Sequence, residues 1–151
     1  MKNKLNVIIA SMSLAIVGGI CLSAPEITNA KTKTTSETTL LAQNRCQVNQ
    51  FENRVFQLTN SIRQRNGLRS LTWNCQLITA AKSHSQTMAR SRRMFHSNFN
   101  LAENVARGQQ SPEQVVNDWM NSPGHRRNIL NRNVTQIGVG FDNGAWTQVF
   151  R

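Results

Sequence analysis

The chain has 151 residues, of which 38% are hydrophobic, and a formal net charge of +11. This length allows one ordinary domain and argues against two, and the apolar fraction suffices for a hydrophobic core. No internal repeat is visible, which argues against a repeat protein.

The N-terminal segment has the layout of a secretory signal peptide. Lys2 and Lys4 form a positive start, residues 5–22 are mainly apolar, and Thr28-Asn29-Ala30 offers a cleavage site. We therefore expect residues 1–30 to be a signal peptide and the protein to be secreted, to the extracellular space or the cell envelope. The alternative is an uncleaved transmembrane anchor, because about 18 apolar residues can just span a bilayer.

A polar tether follows the signal peptide. Residues 31–44 are mostly Lys, Thr and Ser, so they have little to bury and favour a flexible segment before a domain at 45–151. Without residues 1–30 the chain keeps 16 basic and 6 acidic residues, a net charge of +10. That charge favours an anionic cell-envelope polymer or lipid as partner. Nucleic acid would suit the charge too, but export makes it the least favoured partner.

Two cysteines remain outside the signal peptide, Cys46 and Cys75. An oxidising compartment and an even number favour a disulfide between them. Such a bond would close a loop of about 30 residues and stabilise the fold by on the order of 3.5 kcal/mol. Two separate buried thiols are the alternative.

The domain begins with a predicted helix that ends near Asn66. Gly67 follows the last turn, where a left-handed residue is needed. Arg54, Arg63 and Arg65 lie off its apolar stripe. The stripe consists of Val48, Phe51, Val55, Leu58 and Ile62.

Two further helices are indicated by their N-caps. A connection through Leu71 and Trp73 leads to the second helix, which Asn74 caps, and the third opens at Ser111 and is broken at Pro123. The face of the second helix that we expect to be buried carries Leu77, Ala81, His84 and Met88. The apolar face of the third carries Val115, Val116, Trp119 and Met120.

The C-terminal part has β patterning. Residues 137–141 alternate apolar residues with glycines, residues 142–144 form a turn signal, and residues 145–151 return as a second strand. Residues 100–105 are the candidate for a third strand. The class is therefore α+β, with a small sheet covered by helices.

Several kinds of site are excluded or disfavoured by the motifs. The chain has no G-x-S-x-G, H-E-x-x-H or paired C-x-x-C motif, and it has no glycine-rich phosphate loop. Arg90, Arg92 and Arg93 form a basic cluster without an aromatic stacking pattern, so a solvated face is its favoured interpretation.

An ordered set of short motifs resembles the CAP superfamily, also called SCP domains, in its bacterial form. The resemblance runs from about Cys46 to Arg151 and implies an α-β-α sandwich with a small antiparallel sheet between helical layers. The motifs that carry it are Asn60-Ser61-Ile62-Arg63, Leu71-Thr72-Trp73-Asn74, Phe95-His96, Leu101-Ala102-Glu103-Asn104, residues 119–126, residues 136–141 and residues 146–150.

The resemblance also implies a cleft lined by two histidines and two acids. His96, Glu103 and His125 match three of these positions, and they are the candidate metal-ligating and catalytic residues. The second acidic position is occupied by Ser122, and Asp118, one helical turn earlier, is a partial substitute. Two imidazoles and a carboxylate suit a divalent metal such as zinc, but they equally suit a structural hydrogen-bonded cluster. His84, in contrast, is predicted to be a core histidine.

Three functions remain open. The first is a binding or interaction module without catalysis and without a required cofactor. The second is a metal-assisted, protease-like hydrolase that uses His96, Glu103 and His125, with a zinc-bound water as the nucleophile. The third is a nucleic-acid binder. The missing acid at Ser122 and the absence of a substrate-clamping motif favour the first.

Overall fold

The computed structural model describes residues 46–151, so the predicted signal peptide and tether lie outside the described residues. None of the described helices is long and apolar enough to cross a membrane. In chain order the elements are α1 (Gln50–Arg65), β1 (Thr72–Trp73), α2 (Cys75–Ser91), β2 (Ala102–Arg107), α3 (Pro112–Asn121), α4 (Pro123–Ile129), β3 (Gln136–Asp142) and β4 (Ala145–Phe150).

The helix ends follow the capping residues of the sequence. The side chains of Asn74 and Ser111 accept hydrogen bonds from backbone N–H groups of the first turns of α2 and α3, as predicted. Asn49 and Glu52 form a reciprocal capping box on α1, and Gly67 follows that helix at a φ of 67°. Pro123 begins the short helix α4, where the sequence suggested only a break in the third helix.

The four strands form one mixed sheet in the order β1-β3-β4-β2. β3 and β4 form the predicted hairpin, and β2 pairs antiparallel with β4. β1 pairs parallel with β3. The sheet is therefore not wholly antiparallel, because two residues of the connection before α2 add a strand at its edge.

Helices cover both faces of the sheet, which makes the fold an α-β-α sandwich. α2 packs on one face, where Leu77 and Ala81 contact Val149. α1, α3 and α4 pack on the other face around the main core. That core includes Val55, Phe56, Val115, Val116, Trp119, Ile129, Ile137, Val139, Trp146 and Phe150.

Two glycines of β3 allow α2 to approach the sheet closely. A Cβ on Gly138 would lie 2.1 Å from the carbonyl carbon of Leu77, and a Cβ on Gly140 would lie 2.3 Å from that of Ala81. The nearly bare strand face in the sequence is thus filled by helix backbone rather than by side chains.

The buried face of α1 differs from the predicted stripe by about one position. The buried residues include Glu52, Thr59 and Arg63, whereas Phe51 and Leu58 are only partly buried. Arg63 was expected off the stripe, yet its guanidinium is enclosed and donates hydrogen bonds to the carbonyl oxygens of residues 69, 129, 131 and 134. Satisfied polar groups therefore occupy positions that an apolar pattern cannot reveal.

The predicted disulfide is confirmed. Cys46, just before α1, is bonded to Cys75 at the start of α2, and their Cα atoms are 5.2 Å apart. The bond joins the beginnings of two helices that lie on opposite faces of the sheet.

Candidate functional site

The three candidate site residues come from three separate elements. His96 lies in the loop between α2 and β2, Glu103 is the second residue of β2, and His125 is the third residue of α4. The structure brings all three to one end of the sheet through the contacts described next.

Glu103 and His96 form a hydrogen-bonded pair. Nδ1 of His96 donates to Oε2 of Glu103 over 2.8 Å, and the same oxygen accepts the backbone N–H of Ser97 over 3.0 Å. The Glu103 side chain is buried, whereas that of His96 is 60% exposed. The carboxylate therefore fixes the ring and the loop that carries it, and Nε2 of His96 is left on the open side.

His125 faces His96 across the cleft. The centroids of the two imidazole rings are 6.4 Å apart. Burial, and secondly the repulsion between the two imidazoles, lower the pKa of His125 below its ordinary value. The neutral form of His125 is therefore favoured, which keeps a lone pair available near neutral pH.

His84 is a core histidine, as predicted, but it also adjoins the site. Its Nε2 lies 2.8 Å from the carbonyl oxygen of Phe95 and must carry a proton there, because a carbonyl only accepts. The same nitrogen lies 4.0 Å from Oε1 of Glu103, a buried oxygen without a hydrogen-bond partner. The sequence did not predict that His84 lies beside Glu103, although only the end of α2 and the loop 92–101 separate the two residues in the chain.

A buried amide network connects β2 to α4. Asn104 donates to the carbonyl of His125 over 3.2 Å and to the side chain of Gln148 over 3.1 Å. Asn128 donates to the carbonyl of Glu103 and to the side chain of Asn104. Thus the residue after Glu103 positions the backbone of His125. The feature of the sequence that pointed to Asn104 was its place in the Leu101–Asn104 motif.

The structure shows other contacts for the two residues considered at the second acidic position. Ser122 caps α4 without a side-chain hydrogen bond. Asp118 accepts a hydrogen bond from Gln109, so its carboxylate is used to tie α3 to the preceding loop. This hydrogen bond does not support the suggestion that Asp118 partly substitutes for the acid, which stays a prediction.

The donor set does not fit the three-ligand metal site that the sequence suggested. Among residues 46–151, no three His, Cys, Asp or Glu side chains are grouped so that they could hold a metal ion. Oε2 of Glu103 is engaged by His96 and Ser97, so Glu103 acts toward His96 as an outer-shell carboxylate would. Oε1 of Glu103 is buried beside His84, so the two imidazoles are the accessible ligands.

One side of His96 borders a cavity that is lined by aromatic and small polar residues. A cavity of about 320 Å³ lies beside His84 and His96, with Phe95, Phe99 and Thr87 among its walls. A second cavity of about 370 Å³, between α1 and α3, is lined by Leu58, Ile62, Val116 and Met120 among others, and it contains none of the candidate site residues.

A mixed four-stranded sheet between helical layers, with a His/Glu cluster at one end, defines the class of SCP-type domains. The chain belongs to the CAP family, because the sequence model of the cysteine-rich secretory protein family matches residues 56–150. It is 41% identical over 122 residues to the uncharacterized protein YkwD of Bacillus subtilis, covering 68% of this chain and 48% of that relative.

Solved structures agree with this assignment. An extracellular protein containing a SCP domain from Bacillus anthracis shares 31% identity with a TM-score of 0.62, covering 66% of this chain and 39% of that protein. An outer surface protein from Borrelia burgdorferi has 20% identity and a TM-score of 0.57 over 64% of this chain and 87% of its own, and supports the fold alone. The chain spans about half the length of YkwD.

Proposed function

We propose that this chain is an exported binding module that attaches to an anionic component of the cell envelope, and that its His/Glu cluster shapes a cleft rather than catalyses a reaction. The observation that carries the proposal is that the carboxylate of Glu103 already accepts two hydrogen bonds within the protein. Oε2 of this carboxylate holds His96 and the backbone of Ser97, and Oε1 is enclosed beside His84, so a structural role of the buried group is favoured over that of a third metal ligand or general base.

The charge distribution supports an anionic partner. Residues 46–151 contain 13 Lys and Arg residues but only five Asp and Glu residues, a net charge of +8. Two of those five acids, Glu52 and Glu103, are buried, which leaves few negative groups on the surface of the domain. Long-range attraction to an anionic surface follows from such an excess.

Export is supported by the predicted signal peptide at residues 1–30 and by the relative from Bacillus anthracis, which is an extracellular protein. Fractionation of the producing cells, with mass spectrometry of the N-terminus, tests it. We expect a chain that begins near Lys31 and lies outside the cytoplasmic membrane. It should also leave the envelope fraction when salt is raised, because the Debye length, over which charges attract, falls to about 3 Å at 1 M salt. A cytoplasmic chain, or one that washes off freely at low salt, would contradict the proposal.

A hydrolase is the second candidate, and the His96–Glu103 pair favours it. An exposed imidazole oriented by a buried carboxylate is the arrangement of a general base. The described residues around it offer no nucleophile motif. Peptide and ester substrates should therefore show no turnover above a sample that contains chelator. Turnover that His96→Gln abolishes would establish the hydrolase instead.

A divalent metal remains an optional ligand of the binding module. Nε2 of His96 and the imidazole of His125 would hold it, and Glu103 would orient His96 from the outer shell. Two imidazoles without a carboxylate ligand give a weak site compared with the three protein ligands of a catalytic zinc.

A further inference from the structure

The exposed apolar side chains are concentrated in one short segment. In the part of the chain that the structure describes, the large hydrophobic residues that are strongly exposed are Met94 (59%), Phe95 (40%), Phe99 (38%) and Leu101 (37%). All four lie in the loop between α2 and β2. Scattered single apolar residues are ordinary on a protein surface, whereas a contiguous group marks an interaction site.

The contacts of His84 show that two of these residues share one patch. The His84 ring lies 5.2 Å from that of Phe95 and 6.2 Å from that of Phe99, centroid to centroid, and Nε2 of His84 binds the Phe95 carbonyl. Both phenylalanines also line the cavity beside His96. The core histidine therefore holds the two rings side by side at the surface.

Three arginines precede these residues directly. Arg90, Arg92 and Arg93 are all exposed, and within residues 46–151 none of them forms an ion pair. The sequence has no acidic residue between Glu52 and Glu103, and both of those side chains are buried. The end of α2 and the loop after it thus combine positive charge with apolar surface, without an acidic residue in the same segment.

We propose that this 90–101 patch, formed by Arg90, Arg92, Arg93, Met94, Phe95, Phe99 and Leu101, docks the domain on the surface of an anionic lipid bilayer. The arginines bind headgroup phosphates, while the apolar side chains enter the boundary between headgroups and acyl chains. The cleft of His96 then opens toward the membrane. The inference rests on the proposed function, since it names the anionic envelope component and the surface that contacts it.

A bilayer fits better than a soluble polyanion because of the four apolar residues. A polyanion neutralises arginines but offers no apolar volume, so Met94 and its neighbours would stay in water. A bilayer satisfies both halves of the patch, and binding by both charge and apolar burial is the physical signature of interfacial proteins. The two occupants therefore predict different responses to substitution of the apolar residues.

The test measures binding to vesicles of phosphatidylglycerol and phosphatidylcholine by co-sedimentation, with the protein in the form recovered from the producing cells. Arg92→Gln with Arg93→Gln should weaken partitioning about 25-fold, since one arginine near an anionic surface contributes roughly fivefold. The matched control pair, Arg69→Gln with Arg132→Gln, removes the same charge from other parts of the surface. It should change partitioning by less than about threefold, because salt screens the attraction between distant charges.

The apolar arm uses Met94→Ser with Phe99→Ser, which should weaken partitioning about tenfold or more if the side chains are buried in lipid. Met94→Ser alone, at the most exposed position, is the second variant if the pair disturbs the loop, and near-UV circular dichroism reports on the fold. Vesicles of phosphatidylcholine alone and soluble polyphosphate are the comparison probes. We expect little binding to the phosphatidylcholine vesicles and only partial competition by polyphosphate, which cannot bury the apolar side chains.

Two results would overturn the inference. If the arginine pair matters but the serine variants bind as wild type, and polyphosphate competes fully, the occupant is a soluble polyanion. If the vesicles do not bind at all, while the protein is still retained by cell envelopes in a salt-sensitive way, the membrane assignment fails and the broader proposal of an envelope-binding module stands. If the protein neither binds the vesicles nor is retained by cell envelopes, the proposed function itself is rejected.

Discussion

His84 and Glu103 lie side by side at the junction of α2 and β2, with 4.0 Å between Nε2 of the imidazole and Oε1 of the carboxylate. The imidazole also binds the carbonyl of Phe95, so one buried side chain connects the helix, the loop and the strand. The other oxygen of Glu103 holds His96 and Ser97 in the same loop. The loop that carries His96 is therefore fixed from two sides.

Substitution of His84 should loosen that loop. His84→Ala removes a buried ring and leaves the Phe95 carbonyl without its donor, so we expect the free energy of unfolding to fall by about 2 kcal/mol. Gln86→Ala is the matched control, because this exposed side chain on the same helix should cost less than about 1 kcal/mol. Urea denaturation measures both. Equal losses in the two variants would show that His84 has no special part in holding the loop.

The glycines of β3 give a second prediction. Gly140→Ala should destabilise the domain by about 3 kcal/mol, because the added Cβ would meet the backbone of α2 at Ala81 and the helix would have to move. Gly124→Ala is the control, since Gly124 lies in α4 with nothing within 4 Å of its added Cβ. That control should be neutral or stabilise by up to about 1 kcal/mol. Equal thermal midpoints for the two variants would contradict the close approach of α2.

The sequence predicted the helices of the domain well because capping residues and apolar spacing act locally. Asn74 and Ser111 form caps with the backbone within three residues, whatever the rest of the chain does. β1 was missed, since two residues have no periodicity and pair with β3 more than 60 positions away. The position of Arg63 was missed for the same reason, because three of its four acceptors lie on a distant segment that runs from the last residue of α4 to Val134.

Prediction of the site was similarly divided. The resemblance supplied His96, Glu103 and His125, and the structure places them together at one end of the sheet. The resemblance could not reveal that the Glu103 carboxylate accepts a hydrogen bond from the backbone N–H of Ser97, because that bond depends on the conformation of the loop. Nor could spacing along α3 predict the hydrogen bond of Asp118 to Gln109, since that bond depends on the path of the loop after β2.

Arg63 provides a third prediction. Its guanidinium is enclosed and bonds to four backbone carbonyl oxygens, so Arg63→Met should leave those acceptors unsatisfied and cost on the order of 3 kcal/mol or more. Arg63→Lys should recover only part of this loss, because an ammonium lacks the planar fork that reaches several carbonyls. Arg65→Lys, at an exposed position on the same helix, should change unfolding by less than about 0.5 kcal/mol. Full stability of Arg63→Met would refute the role assigned to these bonds.

Acid should destabilise the domain partly through His125. Burial, followed by the charge of His96, lowers the pKa of His125 in the folded state, so the unfolded chain takes up this proton first as pH falls. Stability attributable to the neutral imidazole is complete above about pH 6.5, the unfolded value, and is lost as pH falls toward the lower folded pKa.

Urea midpoints at neutral pH and near pH 5.5 measure that loss. His125→Gln cannot take up the proton and should lose less stability over this interval than wild type. Arg127→Gln, on the same helix and without titration in this range, should behave as wild type. An identical pH dependence in His125→Gln and wild type would show that the burial of His125 has no measurable effect on the acid sensitivity of the fold.

Zinc binding is the last prediction, and it separates a metal-binding cleft from a purely structural cluster. Calorimetry at neutral pH should detect at most weak, micromolar binding, because two imidazoles are available and Glu103 is engaged with His96. The affinity should fall as pH drops through the imidazole range, since protons compete for the same nitrogen atoms. Both His96→Ala and His125→Ala should abolish zinc binding.

His84→Gln should leave zinc binding intact, because Nε2 of His84 is directed at the Phe95 carbonyl. Ser122→Glu should tighten binding, since it places a carboxylate at the empty acidic position, on a residue whose side chain makes no capping bond. If the double variant His96→Ala, His125→Ala binds zinc as tightly as wild type, the metal lies elsewhere and the two imidazoles serve only to shape the cleft.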